Sequence, residues 1–341
     1  MTARAFITGI SGLTLTADER DFLRAERPWG FILFKRNIEK HVQVTALISE
    51  LRETIDEPDA PVLIDQEGGR VQRFGPPHWP AYPPGAVFGT LYDIDRKLGL
   101  TAGRLSARLM AADLIDLGVT VDCLPLADLP VAGADAVIGN RAYGTEPDKV
   151  AAIARAVTEG LQQGGVLPVL KHIPGHGRAT ADTHFRLPVV DTSKAELERT
   201  DFAAFRPLAD LPMAMTAHVV FSALDPAQPA TTSATIIEQV IRGSIGFQGL
   251  LMSDDVSMNA LAGSITERTQ AIVSAGCDMV LHCNGDLDEM RAVAREAPLL
   301  SGLALTRAKR ALASREPPQP FDRVAARAEL DELIGRAGVG A

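Results

Sequence analysis

Eight short apolar runs recur along this chain: residues 5–8 (AFIT), 31–34 (FILF), 62–65 (VLID), 121–126 (VDCLPL), 166–172 (VLPVLKH), 213–220 (MAMTAHVV), 250–254 (LLMSD) and 279–283 (MVLHC). The stretches between them are patterned as helices. In one, Val150, Ile153, Val157 and Leu161 recur at spacings of three and four, which predicts a helix capped by Thr145 and stopped at Gly164 and Gly165. Runs buried on both faces and separated by amphipathic helices indicate a parallel sheet. Eight such units predict an α/β chain folded as a single (β/α)8 barrel, a fold of typically about 250 residues before insertions. Residues 1–316 are assigned to that barrel. Residues 317–341 form a Pro-rich turn (PPQP) and a terminal helix within FDRVAARAELDELIGRA. A doubly wound open sheet is the alternative, but no GxGxxG follows the first run to give it a nucleotide site.

A barrel puts its chemistry at the carboxyl ends of the strands. Asp65, His172, His218, Asp254 and His282 end or nearly end their runs, at positions that packing alone does not call for. The loops that follow are DQEGGRVQRF, IGNRAYG, KHIPGHGRATADTH and SDDVSM.

Charge narrows what such a site serves. The net charge of −9, without a run of Lys or Arg, disfavours nucleic acid and anionic membrane as partners. An anionic substrate would have to be met by a few local cations. The three cysteines form no CxxC pair and suit a reducing compartment. MTARAFITGI lacks the pattern of a signal peptide, and no apolar stretch approaches the ~20 residues of a membrane span. A soluble, cytoplasmic monomer without a cofactor is the expectation.

KHIPGHGRATADTH, residues 171–184, holds three of the chain's seven histidines. A zinc or iron site could draw on His172, His176, Asp182 and His184, but no HExxH or comparable spacing supports one. A phosphate loop would end in Lys-Ser/Thr, which PGHGRAT does not. Acid/base work is the third reading: Asp182 can orient His184 and raise its basicity, leaving the other ring nitrogen to exchange a proton. Taken alone, a DxH triplet is as easily a surface loop. In SDD, one of Asp254 and Asp255 can face the barrel axis, and spacing does not say which.

Together, DQEGGRVQRF (65–74), IGNRAYG (138–144), KHIPGHGRATADTH (171–184), MTAHVVF (215–221) and GLLMSDDVSM (249–258) resemble glycoside hydrolase family 3, and within it the bacterial β-N-acetylglucosaminidases of peptidoglycan recycling. Ile173 stands where that family usually has Phe, and Asn140 where Asp is frequent. The resemblance implies a retaining exo-glycosidase for terminal β-linked N-acetylglucosamine, acting on an amino-sugar muropeptide with neither metal nor cofactor. It implies Asp254 as nucleophile, His184 as general acid/base with Asp182 orienting it, and Asp65, Arg73, Arg141, Lys171 and His172 as sugar ligands. Rival readings are a β-glucosidase or xylosidase of the same family, a nucleophile supplied by the substrate's own acetamido oxygen, and a sugar-binding barrel without turnover. Gly175 and Gly177 suggest a loop free to fold over the sugar, and His176 reads as shaping that loop.

Overall fold

The computed structural model describes residues 3–181, 183 and 186–338. Its strands, in chain order, are β1 (Arg4–Thr8), β2 (Pro28–Leu33), β3 (Val62–Ile64), β4 (Gln66–Gly68), β5 (Val71–Gln72), β6 (Val121–Asp122), β7 (Leu167–Ile173), β8 (Val189–Val190), β9 (Met213–Thr216), β10 (Val220–Phe221), β11 (Leu250–Asp255) and β12 (Met279–His282). Strands β1, β2, β3, β6, β7, β9, β11 and β12 pair in that order, all parallel, and β12 returns to β1. This is the closed (β/α)8 barrel that the eight apolar runs predict, and each run supplies one of its strands.

Side chains alternate across each strand, which divides the core in two. Ala5, Ile7, Leu63, Val121, Val169, Met213, Met215, Leu250, Met252, Met279 and Leu281 fill the barrel. Their neighbours Phe6, Ile64, Leu170, Ala214, Leu251 and Val280 face outward into the layer beneath the helices. Each fully buried side chain of this size contributes about 2 kcal/mol. The fourth run gives the continuous ladder only Val121 and Asp122; beyond them the Pro125 carbonyl accepts the Lys171 N–H at 3.0 Å, and Leu126 bridges to Lys171. The sixth divides: β9 stops at Thr216, and Val220 and Phe221 leave the barrel to pair with β8.

The helix foreseen from Val150, Ile153, Val157 and Leu161 spans Pro147–Gln163 and buries all four. Its N-cap is Glu146 rather than Thr145: Pro147 at the first helical position presets φ and has no N–H for a cap to satisfy. Gly164 ends the helix as expected. The terminal helix is Arg323–Arg336, with the Asp322 carboxylate accepting from Val324 and Ala325 N–H. Ala326, Leu330 and Leu333 seat it on the outer core, and the Arg108 guanidinium lies 4.2 Å from the Phe321 ring centre. Among the described residues no helix is long and apolar enough to cross a membrane.

Candidate active site

The carboxyl ends of the strands open on a cavity of about 320 Å³. Asp65, Arg73, Arg141, Lys171, His172 and Asp254 all line it, as do His176, Asp255 and Thr183. Asp182 and His184 lie outside the described residues. Thr183 between them is buried in the cavity wall, its carbonyl accepting from Ala260 N–H at 3.1 Å.

Buried charges form one side of the cavity. Lys171 Nζ, on β7, donates to Asp65 Oδ1 at 2.8 Å and pairs with Glu67 Oε1 at 2.7 Å. Arg73 Nη2 holds Asp65 Oδ2 at 2.8 Å. Arg141 grips Glu67 with both Nε and Nη2 at 2.8 Å, a fork on a carboxylate. Its Nη1 donates to the Val137 carbonyl at 3.1 Å, so most of this guanidinium's donors are spent on the protein. Burial alone would raise both acids. Lys171 and Arg73 instead hold the Asp65 carboxyl far below the ordinary range, while Arg141 and Lys171 hold that of Glu67 at about 2. A further acid, Asp122 on β6, is fully buried and accepts the Gln66 N–H at 3.0 Å, and burial pushes its carboxyl well above the ordinary range. The site is thus a rigid ionic layer in which Lys171, with three N–H donors and two carboxylate partners, keeps one donor to offer a ligand.

On the adjoining wall, His172 Nδ1 lies 2.7 Å from Asp128 Oδ2, and the other Asp128 oxygen accepts the His176 amide at 2.7 Å. A carboxylate only accepts, so His172 carries its proton on Nδ1 and presents Nε2 at the cavity. Burial would raise the Asp128 carboxyl, but the two histidines hold it below the ordinary range. The His176 ring, centred 5.5 Å from that of His172, is buried with Nδ1 unpartnered. Gly175 has φ +140°, and Gly177 is pressed so closely on Leu129 that a Cβ would lie 2.1 Å from its carbonyl oxygen. Gly177 is therefore required for close packing and not for an unusual φ.

Burial, with His172 beside it, lowers His176 to about 4, against the partial opposition of Asp128 and Asp254. The unfolded ring takes a proton near pH 6.5, and the folded one only near pH 4. Between these values the unfolded state binds more protons, so stability decreases as the pH is lowered, by on the order of 3 kcal/mol at most from this ring. Urea midpoints measured from pH 7 to pH 4 should fall, and fall less in His176→Gln. An equally steep decline in that variant would assign the slope to other groups.

Geometry separates the two aspartates at the end of β11. Asp254 follows the inward positions Leu250 and Met252 and is 8% exposed. Its Oδ1 accepts the Asp255 N–H at 2.8 Å. Asp255 spends its carboxylate on its own loop: Oδ1 accepts from Ser257 N–H and Cys283 N–H, each at 3.1 Å, and Oδ2 from the Ser257 hydroxyl at 2.6 Å. Burial would raise the Asp254 carboxyl, but the imidazoles of His218 and His172 keep it below the ordinary range, and so ionised at neutral pH. Asp254 is thus an ionised carboxylate facing the cavity, and Asp255 a structural one.

Of the other strand-end histidines, His218 is buried with both nitrogens bonded. His282 is buried with Nε2 3.2 Å from Glu289 and Nδ1 unpartnered. Among the described residues no three of His, Cys, Asp and Glu are grouped to hold a metal ion. Sequence reading passed over Glu67 and Asp128, and assigned His176 the shaping of its loop. The available signal for Asp128 was an acid inside the apolar stretch LPLADLPV.

The family model for the glycosyl hydrolase family 3 N terminal domain matches residues 10–309. The chain is 39% identical over 279 residues to a β-hexosaminidase of Bordetella avium, covering 81% of this chain and 79% of that one. A β-hexosaminidase of Alkalilimnicola ehrlichii is also 39% identical, over 294 residues, covering 85% and 83%. NagZ from Neisseria gonorrhoeae, crystallised in complex with N-trifluoroacetyl-D-glucosamine, superposes with a TM-score of 0.88 at 32% identity, over 98% of this chain and 99% of that one.

Proposed function

The chain belongs to glycosyl hydrolase family 3 and is a β-N-acetylhexosaminidase of that family, and from that premise we propose that it removes the terminal, non-reducing β-linked N-acetylglucosamine from N-acetylglucosaminyl-1,6-anhydro-N-acetylmuramic acid, with or without attached peptide. The reaction belongs to cell-wall recycling in the cytoplasm, with the chain acting as a monomer. The free thiols of Cys123, Cys277 and Cys283 support that compartment. The observation that carries the reading is Asp254: an inward, ionised carboxylate in one cavity with Asp65, Lys171, Arg73 and Arg141 of the ionic layer.

In the first step an Asp254 oxygen attacks the anomeric carbon as its bond to the leaving oxygen breaks, and His184 gives that oxygen its proton. In the second, His184 takes a proton from water, the water oxygen bonds to the anomeric carbon, and the ester to Asp254 breaks, with net retention. Asp182 orients the ring, and an imidazole titrating near ~6.5 can serve both directions at neutral pH. Asp65 and the spare donor of Lys171 hold sugar hydroxyls. His172 Nε2 and Arg73 complete the grip, and Arg141 acts chiefly by fixing Glu67.

Release of nitrophenol from the β-N-acetylglucosaminide and the β-glucoside, with EDTA present, tests the reading in wild type and His184→Ala. Expected is turnover of the acetamido sugar alone, unaffected by EDTA and reduced by roughly 100-fold or more in the variant. Equal hydrolysis of the glucoside, or full activity of His184→Ala, would overturn it. Sugar binding without turnover of either compound would make the chain a sugar-binding barrel.

A further inference from the structure

The parallel ladder that carries the site stops short of its key residue. Pairing of β11 with β9 ends at Met252 opposite Met215, and pairing with β12 shifts register between Met252 and Asp255. Strand hydrogen bonds therefore leave the backbone around Asp254 under-determined on the β9 side. Side chains replace them. Thr216 Oγ1, at the end of β9, accepts the Asp254 N–H at 3.3 Å. His218, two residues on, has Nε2 2.9 Å from the Asp255 carbonyl oxygen. The two meet at Thr231, whose Oγ1 lies 2.8 Å from Thr216 Oγ1 and 2.7 Å from His218 Nδ1.

All three side chains are fully buried, and none lines the sugar cavity. Proton directions follow from the acceptor at the end. A carbonyl oxygen cannot donate, so His218 carries a proton on Nε2 and gives it to Asp255. The single Thr231 hydroxyl proton goes either to His218 Nδ1 or to the backbone, and in both cases the Thr231 oxygen accepts from Thr216. The Ala217 carbonyl, 3.0 Å from Thr231 Oγ1, is the competing acceptor for that one proton. The segment gripped at both ends contains the Asp255 N–H that holds Asp254 Oδ1 at 2.8 Å. Rotation of this segment would swing that N–H away and move the carboxylate off its line toward the anomeric carbon.

We propose that Thr216, Thr231 and His218 form a buried clamp that positions Asp254 for attack without touching the sugar. This inference rests on the reading of Asp254 as nucleophile. The clamp makes kcat, rather than sugar binding, the quantity at stake.

Thr231→Val keeps the shape and removes the hydroxyl that joins the other two, while Thr231→Ser keeps the hydroxyl. Expected in Thr231→Val is a fall in kcat of roughly 10- to 100-fold, the scale of a displaced reacting group, with the inhibition constant of N-acetylglucosamine unchanged. Thr231→Ser should recover most of the rate. Thr216→Val, which removes the acceptor of the Asp254 N–H, should repeat the loss and serves if Thr231→Val does not fold. Wild-type kcat in both valine variants, or equal losses in the serine and valine variants of Thr231, would overturn the clamp. A 5-fluoro-N-acetylglucosaminyl donor, followed by mass spectrometry, separates the two levels of inference. Label on a residue other than Asp254 removes the nucleophile reading and the clamp with it. Label on Asp254 that forms in Thr231→Val at the wild-type rate removes the clamp alone.

Discussion

Asp254→Asn should fold, bind N-acetylglucosamine, and lose turnover by roughly four orders of magnitude or more, the scale seen when a nucleophile is deleted. The asparagine side chain is nearly isosteric, and its oxygen can still accept the Asp255 N–H that now bonds Asp254 Oδ1. What disappears is the negative charge and the power to form an ester. Both matter most where positive charge develops at the anomeric carbon, so the loss should fall on kcat while the inhibition constant of the free sugar barely moves. The wild-type carboxylate is ionised at neutral pH because His218 and His172 hold it down against its burial. Its contribution to rate should therefore persist down the pH scale until the ordinary carboxylate range has been passed. Azide gives a second readout in Asp254→Gly. It can enter the vacated space, bond to the anomeric carbon as nitrophenolate leaves, and yield the α-glycosyl azide. Turnover of Asp254→Asn above about 1% of wild type, or a β-azide from the glycine variant, would assign Asp254 another role.

The barrel was legible in the sequence because each strand is apolar on both faces and each connection is helical in period, a combination few folds share. The limits of those strands were less legible. The run at 121–126 reads as six residues, but only Val121 and Asp122 form continuous strand, and the run meets β7 again through a separate bridge between Leu126 and Lys171. The run at 213–220 reads as one strand, but its last residue belongs with Phe221 to a separate pair with β8. Nothing local marks that division, since Ala217 and Val219 are as buried as the residues before them.

At the site, residue types were easier to read than partnerships. Asp65, Lys171 and Arg73 were recognised as polar groups on different strands and loops, yet their assembly depends on Glu67. Next to Gly68 and Gly69 that acid reads as part of a turn; in the structure it is buried between Arg141 and Lys171. Asp128 shows the same problem over distance. It is 44 residues from His172 and fixes that ring, an orienting carboxylate the sequence reading sought only at Asp182. Asp254 and Asp255 differ in what their oxygens already bond, and that difference arises only in the folded chain.

Lys171→Met should produce the largest stability change at the site and weaken sugar binding with it. Lys171 is 2% exposed, and its ammonium faces Asp65 and Glu67 at 2.8 and 2.7 Å. Removing one member of a buried ionic group costs about 3–5 kcal/mol, because the charges left behind lose their compensation without regaining water. The lower end is expected here, since Asp65 keeps Arg73 and Glu67 keeps Arg141. For a chain of this size about 3 kcal/mol corresponds to a fall in Tm of roughly 5 °C. The donor that remained for the ligand is lost as well, and a charged hydrogen bond of about 1.5–3 kcal/mol implies binding weaker by roughly 10- to 100-fold. Dependence on pH distinguishes the ionic cause from a steric one. Glu67 and Asp65 have depressed folded pKa values, so the stability they confer is full above their unfolded values and disappears as pH falls through the folded ones. The ammonium, raised above its ordinary value, stays charged throughout that range. The gap in unfolding free energy between wild type and Lys171→Met should therefore be constant from about pH 5 to pH 9 and narrow progressively below about pH 4.5, as the carboxylates it compensates are protonated. A gap that stays the same down to pH 3 would mean that the methionine fails for its shape, and that the ionic layer contributes little to holding the site together.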